Sequence, residues 1–269
     1  MGEARGTTTV LPASQPRVRL KLLDLTARDQ PIGTEDVYST DHGTTWVDER
    51  LDLQAELLAQ MDETDAGADG GDVESIYFLL GLPGSGKSSS LRPIAVQHAG
   101  LGGVPPVVDA DAVRVRFPEY ADGLGSGVVQ AETAVLTYGR GYRWGEGRQG
   151  RVLLGGAPVI MLDTIGDAEH LPRTIARAVE LGRRVYVLRT DCPVEVCRER
   201  AMRRALDNRR VVPLELIDAK AGVPEHAFEA AVATGVVDGW AVVNTAGETA
   251  DISSASADFA AMTIAEVPA

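Results

Sequence analysis

The pattern of apolar and polar positions divides the chain near residue 72. Upstream, Arg17 to Leu25 alternates apolar Val18, Leu20 and Leu22 with polar neighbours, the two-residue period of a half-buried strand. Trp46 to Met61 instead sets Leu51, Ala55, Leu58 and Met61 about one turn apart, which predicts an amphipathic helix. Residues 1–16 mix Gly, Thr, Ser and Pro without apolar periodicity and read as disordered. Asp62 to Asp72 holds five acids, three glycines and no basic residue, the composition of a solvated linker. The domain boundary is expected there, with residues 17–72 as an N-terminal strand and helix extension and 73–269 as the main domain.

Beyond Val73 the pattern changes to short apolar runs separated by helical stretches. Ser75 to Leu80, Val107 to Asp109, Val159 to Leu162, Val185 to Leu188 and Ala241 to Asn244 have the near-continuous hydrophobicity of strands buried on both faces. This predicts an α/β fold with a mainly parallel sheet in three layers, whose ligands bind beyond the carboxyl ends of the strands. No internal repeat or heptad appears.

The first of these strands runs directly into Gly81-Leu82-Pro83-Gly84-Ser85-Gly86-Lys87-Ser88-Ser89 and then a helical stretch, the context a phosphate loop requires. Gly81, Gly84 and Gly86 let the backbone turn its N–H groups toward an anion at a helix start, with Ser85 and Ser89 completing the cradle. Lys87 is placed to reach the β and γ phosphates, and the Ser88 hydroxyl to ligate Mg²⁺. The chain has only three lysines, Lys21, Lys87 and Lys220, against 23 arginines, and the one lysine between residues 22 and 219 stands at the motif's required position. The motif predicts a P-loop NTPase fold and binding of ATP or GTP.

A phosphate loop does not by itself separate a kinase from a GTPase or a motor. Val107-Val108-Asp109-Ala110-Asp111-Ala112-Val113-Arg114 ends the second strand with two carboxylates, one of which can accept the proton of an attacking hydroxyl, with Asp109 and Arg114 beside it as substrate contacts. The same residues also suit helix caps and a surface ion pair. Val159 to Thr164 is an apolar strand ending in Asp163, a position for a Mg²⁺ acid or for a helix cap. Arg189 to Arg210 holds seven arginines and four acids, so Arg200, Arg204 and Arg210 are candidates for neutralising the migrating charge, while pairing with Glu199 or Asp207 would make them a solvated face.

Charge narrows the partners. Net −13 disfavours unassisted contact with nucleic acid or an anionic membrane. Cys192 and Cys197 lie five apart, neither metal-finger nor redox spacing, and read as ordinary thiols. The first residues lack the apolar core of a signal peptide, so a cytoplasmic location is expected.

Taken together, GLPGSGKSSSLR, DADAVR with FPEY, and VIMLDT resemble the zeta-toxin family of P-loop kinases over roughly Ile76 to Gly247, and DHGTTWVDERLDLQAELL resembles the helical lead-in of many members. The resemblance implies Mg²⁺- and ATP-dependent phosphorylation of an amino-sugar hydroxyl on a UDP-N-acetylglucosamine-like acceptor, with a neutralising protein partner. An antibiotic or nucleoside acceptor on the same scaffold, or a non-catalytic nucleotide switch, are the alternatives. It assigns Lys87 and Ser88 to the phosphates and metal, Asp111 to the hydroxyl, Arg200 or Arg204 with Arg210 to the arginine pair, and Glu146 to the sugar. Asp163 stands where the family prototype has Glu, and Gly139 to Gly150 is glycine-rich for a substrate-side helix.

Overall fold

The computed structural model describes residues 33–40, 45–65, 74–123, 125–139, 147–208, 212 and 214–261. The expected strand at 17–25 and the disordered segment 1–16 lie outside these residues, as do Glu146 and Arg210. Two helices precede the sheet: α1 (Thr34–Tyr38) and α2 (Asp48–Asp65). The main domain then runs β1 (Ser75–Leu80), α3 (Arg92–His98), β2 (Val107–Asp109), α4 (Ala110–Arg114), α5 (Gln130–Tyr138), α6 (Arg148–Leu154) and β3 (Val159–Thr164). It continues α7 (His170–Glu180), β4 (Arg184–Asp191), α8 (Val194–Asn208), α9 (Leu214–Ala219), α10 (Val223–Ala233), β5 (Gly239–Asn244), β6 (Asp251–Ala255) and α11 (Ala257–Ala261).

The strands form one sheet in the order β2-β3-β1-β4-β5-β6, parallel except for β6. β1 sits in the interior and all six of its residues are buried. Alternation along it divides the core: Ile76, Phe78 and Leu80 face α7 and α10, and Tyr77 and Leu79 face α3 and α11. That is the three-layer α/β arrangement expected from the apolar runs. β1 and β2 have the predicted bounds, whereas β3, β4 and β5 run one to three residues further. The β6 edge went unpredicted because DISSA is polar and half-exposed, with no apolar run to mark it.

Two expectations for the upstream helix need correction. It does not end at Met61 but continues through Asp65, because Met61 is buried and the Asp62 carboxylate takes a hydrogen bond from Arg151 on α6 at 2.7 Å. Its inner face is also rotated from the expected one: Ala55 is exposed, while Arg50 and Gln54 lie inward beside Leu57, Leu58 and Met61. This face packs on Val113, Phe117, Val129 and Leu136, so α2 is built into the wall formed by α4 and α5.

Candidate functional site

The phosphate loop leaves the carboxyl end of β1, and its geometry explains its glycines. Gly84 and Gly86 adopt φ of 80° and 93°, a left-handed conformation that favours glycine. A Cβ on Gly81 would meet the Thr190 hydroxyl at 2.2 Å, so glycine is required there by close approach. After the loop, Lys87 to Leu91 makes one wide helical turn, with the Arg92 N–H reaching back to the Lys87 carbonyl, before α3 begins. Ser88 and Ser89 are exposed on this turn and Ser88 lines the cavity.

Residues distant in sequence hold the loop in place. Thr190, at the end of β4, donates to the Ser85 hydroxyl at 2.9 Å. Thr245, after β5, donates to the Ser85 carbonyl at 2.6 Å, and its own backbone carbonyl takes Arg200 Nη1 at 2.8 Å. Arg200 Nη2 also donates to the Gly247 carbonyl at 3.0 Å. Arg200, which also lines the cavity, thereby frames the β5–β6 loop. Its Nη1 lies 3.8 Å from Cys192 Sγ. The Cys192 thiol is pulled down to about 6, chiefly by a hydrogen bond from Cys197 with help from Thr245 and Arg200, against the effect of burial. Arg204 lines the cavity, and Arg203 lines it while pairing with Glu199 at 2.7 Å in solvent.

Parallel pairing of β2 with β3 sets Asp109 in register with Asp163, placing two carboxylates side by side at the strand ends. Arg92 resolves the repulsion: its Nη2 lies 2.6 Å from Asp109 Oδ2 and 2.9 Å from Asp163 Oδ2. Burial raises the Asp163 pKa, opposed by Lys87, while Asp109 adds to the rise and Arg92 counters it. Burial alone would lower the Arg92 pKa, but Asp163 and Asp109 outweigh it and raise it. Sequence reasoning missed Arg92, although it stands one turn past the phosphate loop on the face that meets β3.

Asp109 lines the cavity, and both of its carboxylate oxygens are engaged by neighbouring groups. Its Oδ1 caps α4 by accepting the Asp111 N–H at 2.9 Å, and its Oδ2 holds Arg92. Asp111, one turn into the cavity, is 36 % exposed. Arg114 behind it is buried, not a surface ion-pair partner, and donates to Asp111 Oδ1 at 3.2 Å and to Gln130 Oε1 on α5 at 2.5 Å. Lys87 Nζ lies 2.7 Å from the Gly81 carbonyl and 3.5 Å from Asp163 Oδ1.

These groups line one cavity of about 1070 Å³, large enough for a nucleotide and a second substrate. Lys87, Ser88, Asp163 and Asp111 all line it, together with Arg200, Arg204 and Tyr138. Among the described residues no three acidic, His or Cys side chains cluster as a metal site. The Ser88 hydroxyl with the Asp163 carboxylate nonetheless suits Mg²⁺, which takes few protein ligands and completes its shell with phosphate and water.

A parallel sheet with a phosphate loop at its central strand, facing a half-exposed carboxylate across one cavity, defines a P-loop phosphotransferase. Residues 68–256, more than two thirds of the chain, match the family described as zeta toxin, and the chain belongs to that family. It is thereby a kinase-type enzyme. Comparison with curated proteins yields no match. Among solved structures, the AvrRxo1-ORF1:AvrRxo1-ORF2 complex with sulphate ions has a TM-score of 0.61 at 16 % identity, covering 84 % of this chain and 77 % of that one. The same complex with ATP gives 0.60 at 15 %, with the same coverage. A structure from the PezAT toxin–antitoxin system of Streptococcus pneumoniae gives 0.57 at 13 %, covering 79 % and 83 %. At such identities the likeness concerns the fold. Among the described residues no helix is long and apolar enough to cross a membrane.

Proposed function

We propose that the protein transfers the γ-phosphoryl group of ATP, with GTP as the alternative donor, to a hydroxyl of a nucleotide sugar of the UDP-N-acetylglucosamine type. The observation that carries the reading is Asp111: a half-exposed carboxylate, oriented from behind by buried Arg114, in the cavity that also holds Lys87 and Ser88. Bound at Ser88 and Asp163, Mg²⁺ would supply positive charge at the β and γ phosphates. Lys87 holds the same phosphates, and Asp111 accepts the proton of the acceptor hydroxyl as its oxygen bonds to the γ-phosphorus and the bridge to ADP breaks. Arg204, which lines the cavity, meets the charge spreading over the transferred group in this reading.

The acceptor is tested by incubating the protein with ATP, Mg²⁺ and a panel of nucleotide sugars, aminoglycosides, phenicols and nucleosides, and following a gain of one phosphate by mass. Transfer to UDP-N-acetylglucosamine supports the reading. Transfer only to an antibiotic or nucleoside replaces the acceptor, and transfer to none favours a nucleotide switch. A neutralising protein partner belongs to the same reading, so expression of the chain alone should arrest growth while the Asp111→Asn variant should not; equal growth of both would refute a toxin role.

A further inference from the structure

Residues 33–65 lie upstream of the stretch that matches the family, yet they contribute Arg50, the largest fully buried side chain among the described residues. Its Nε and Nη2 donate to the two oxygens of Glu132 at 2.7 Å each. Its Nη1 and Nη2 donate to those of Glu119 at 2.8 and 3.2 Å. The rings of Tyr38 and Phe117 lie 4.7 and 5.4 Å from the guanidinium, and Gln54 adds a hydrogen bond to Glu132 at 2.8 Å. Both glutamates are 0 % exposed, and buried charges of this kind persist only when paired and hydrogen-bonded.

The two glutamates stand on the elements that hold Asp111. Glu119 belongs to the turn Pro118–Gly123 that follows α4, the helix carrying Asp111 and Arg114. Glu132 is on α5, two residues from the Gln130 that holds Arg114. One arginine from the N-terminal helices thus ties together both supports between which Arg114 orients the carboxylate.

We propose that Arg50 is a positioning residue for the acceptor side of the cavity: α1 and α2 are a permanent wall of the site, and the Arg50 fork sets where Asp111 meets the acceptor. The proposal rests on the role given to Asp111 above. Phosphate-loop residues are held by Thr190, Thr245 and Arg200, a separate network, so donor binding is independent of Arg50.

The test uses the full chain with Arg50→Lys, which keeps the charge and loses the fork, and with the charge-free set Arg50→Met, Glu119→Gln and Glu132→Gln. Hydrogen exchange read by mass should show α4 and α5 amides of Arg50→Lys exchanging about tenfold faster, with β1 and α3 amides within about twofold of wild type. With UDP-N-acetylglucosamine as acceptor probe, the acceptor KM should rise about tenfold while the Kd of a fluorescent ATP analogue changes less than about twofold. The charge-free set should recover part of both losses, because it leaves no unpaired buried charge. Faster exchange spread evenly over the sheet, equal losses in donor and acceptor binding, or no change in either would overturn the proposal. If the wild-type protein phosphorylates no UDP-N-acetylglucosamine, the acceptor reading fails, and the exchange pattern decides the role of Arg50 by itself.

Discussion

Replacing Gly84 by alanine separates two costs that the phosphate loop imposes on its glycines. The first is conformational: at φ of 80° an alanine pays about 1–2 kcal/mol. The second is steric, since the new Cβ would lie 2.4 Å from the Cys197 carbonyl oxygen and 3.2 Å from its carbonyl carbon, both backbone atoms. That backbone cannot yield easily, because Cys197 and Ala201 are buried against Leu82 and Ile217 in the first turns of α8. The loop must move instead, carrying its N–H groups away from the phosphates. Gly100, at φ of 67° with nothing within 4 Å, pays only the first cost and lies outside the cavity lining. Gly100→Ala should therefore lose about 1 kcal/mol in urea unfolding with the ATP Kd unchanged. Gly84→Ala should weaken ATP roughly 30-fold, about 2 kcal/mol of binding. Titration with a fluorescent ATP analogue beside urea melts reads both quantities. A Gly84→Ala Kd within threefold of wild type, or the same profile as Gly100→Ala in both assays, would mean that the Cys197 backbone does not fix the loop.

His98 is 3 % exposed, with Nδ1 at 2.8 Å from the Tyr77 hydroxyl and its ring stacked on Phe259, and burial pushes its pKa from 6.5 down to about 4. The folded state keeps it neutral while the unfolded chain protonates below 6.5, so this stability is complete above that pH and is lost as pH falls toward 4. At about 1.4 kcal/mol per unit the loss amounts to roughly 3 kcal/mol. Urea melts from pH 7 to pH 4 should show it in wild type and not in His98→Phe, and parallel profiles would contradict it. Arg200→Met should raise the ATP Kd about tenfold and lower turnover at saturating ATP less than about threefold, because Arg200 holds the loop that braces Ser85. A turnover collapse with Kd intact would return Arg200 to the migrating phosphoryl group. Arg204→Met should show that opposite pattern, with turnover down about a hundredfold.

What the sequence revealed follows from how locally each feature is encoded. The phosphate loop was legible because its glycines, Lys87 and Ser88 must be contiguous to wrap one phosphate chain, and β1 because a strand buried on both faces is an unbroken apolar run. Arg92 was not legible, since its partners are 17 and 71 residues away and only the β2–β3 register places their carboxylates together. The inner face of α2 was misjudged for a related reason. Hydrophobic periodicity counts Ala55 as apolar and Arg50 as polar, and nothing in a helical pattern shows that Glu119 and Glu132 wait in the core for a cation. The arginine cluster was recognisable as a group, and Arg200, Arg203 and Arg204 all line the cavity, but that Arg200 bonds the β5–β6 loop while Arg203 pairs with Glu199 depends on that loop meeting α8.

The role proposed for Asp111 is chemistry at a site whose donor half stands without it. Phosphate transfer to UDP-N-acetylglucosamine, followed by mass in Asp111→Asn with the ATP Kd measured on the same sample, tests this directly. Asparagine keeps the shape and can still accept the Arg114 hydrogen bond, so ATP should bind within about twofold of wild type while transfer falls at least about a hundredfold. Transfer within threefold of wild type, with Lys87→Ala inactive, would remove Asp111 from the chemistry.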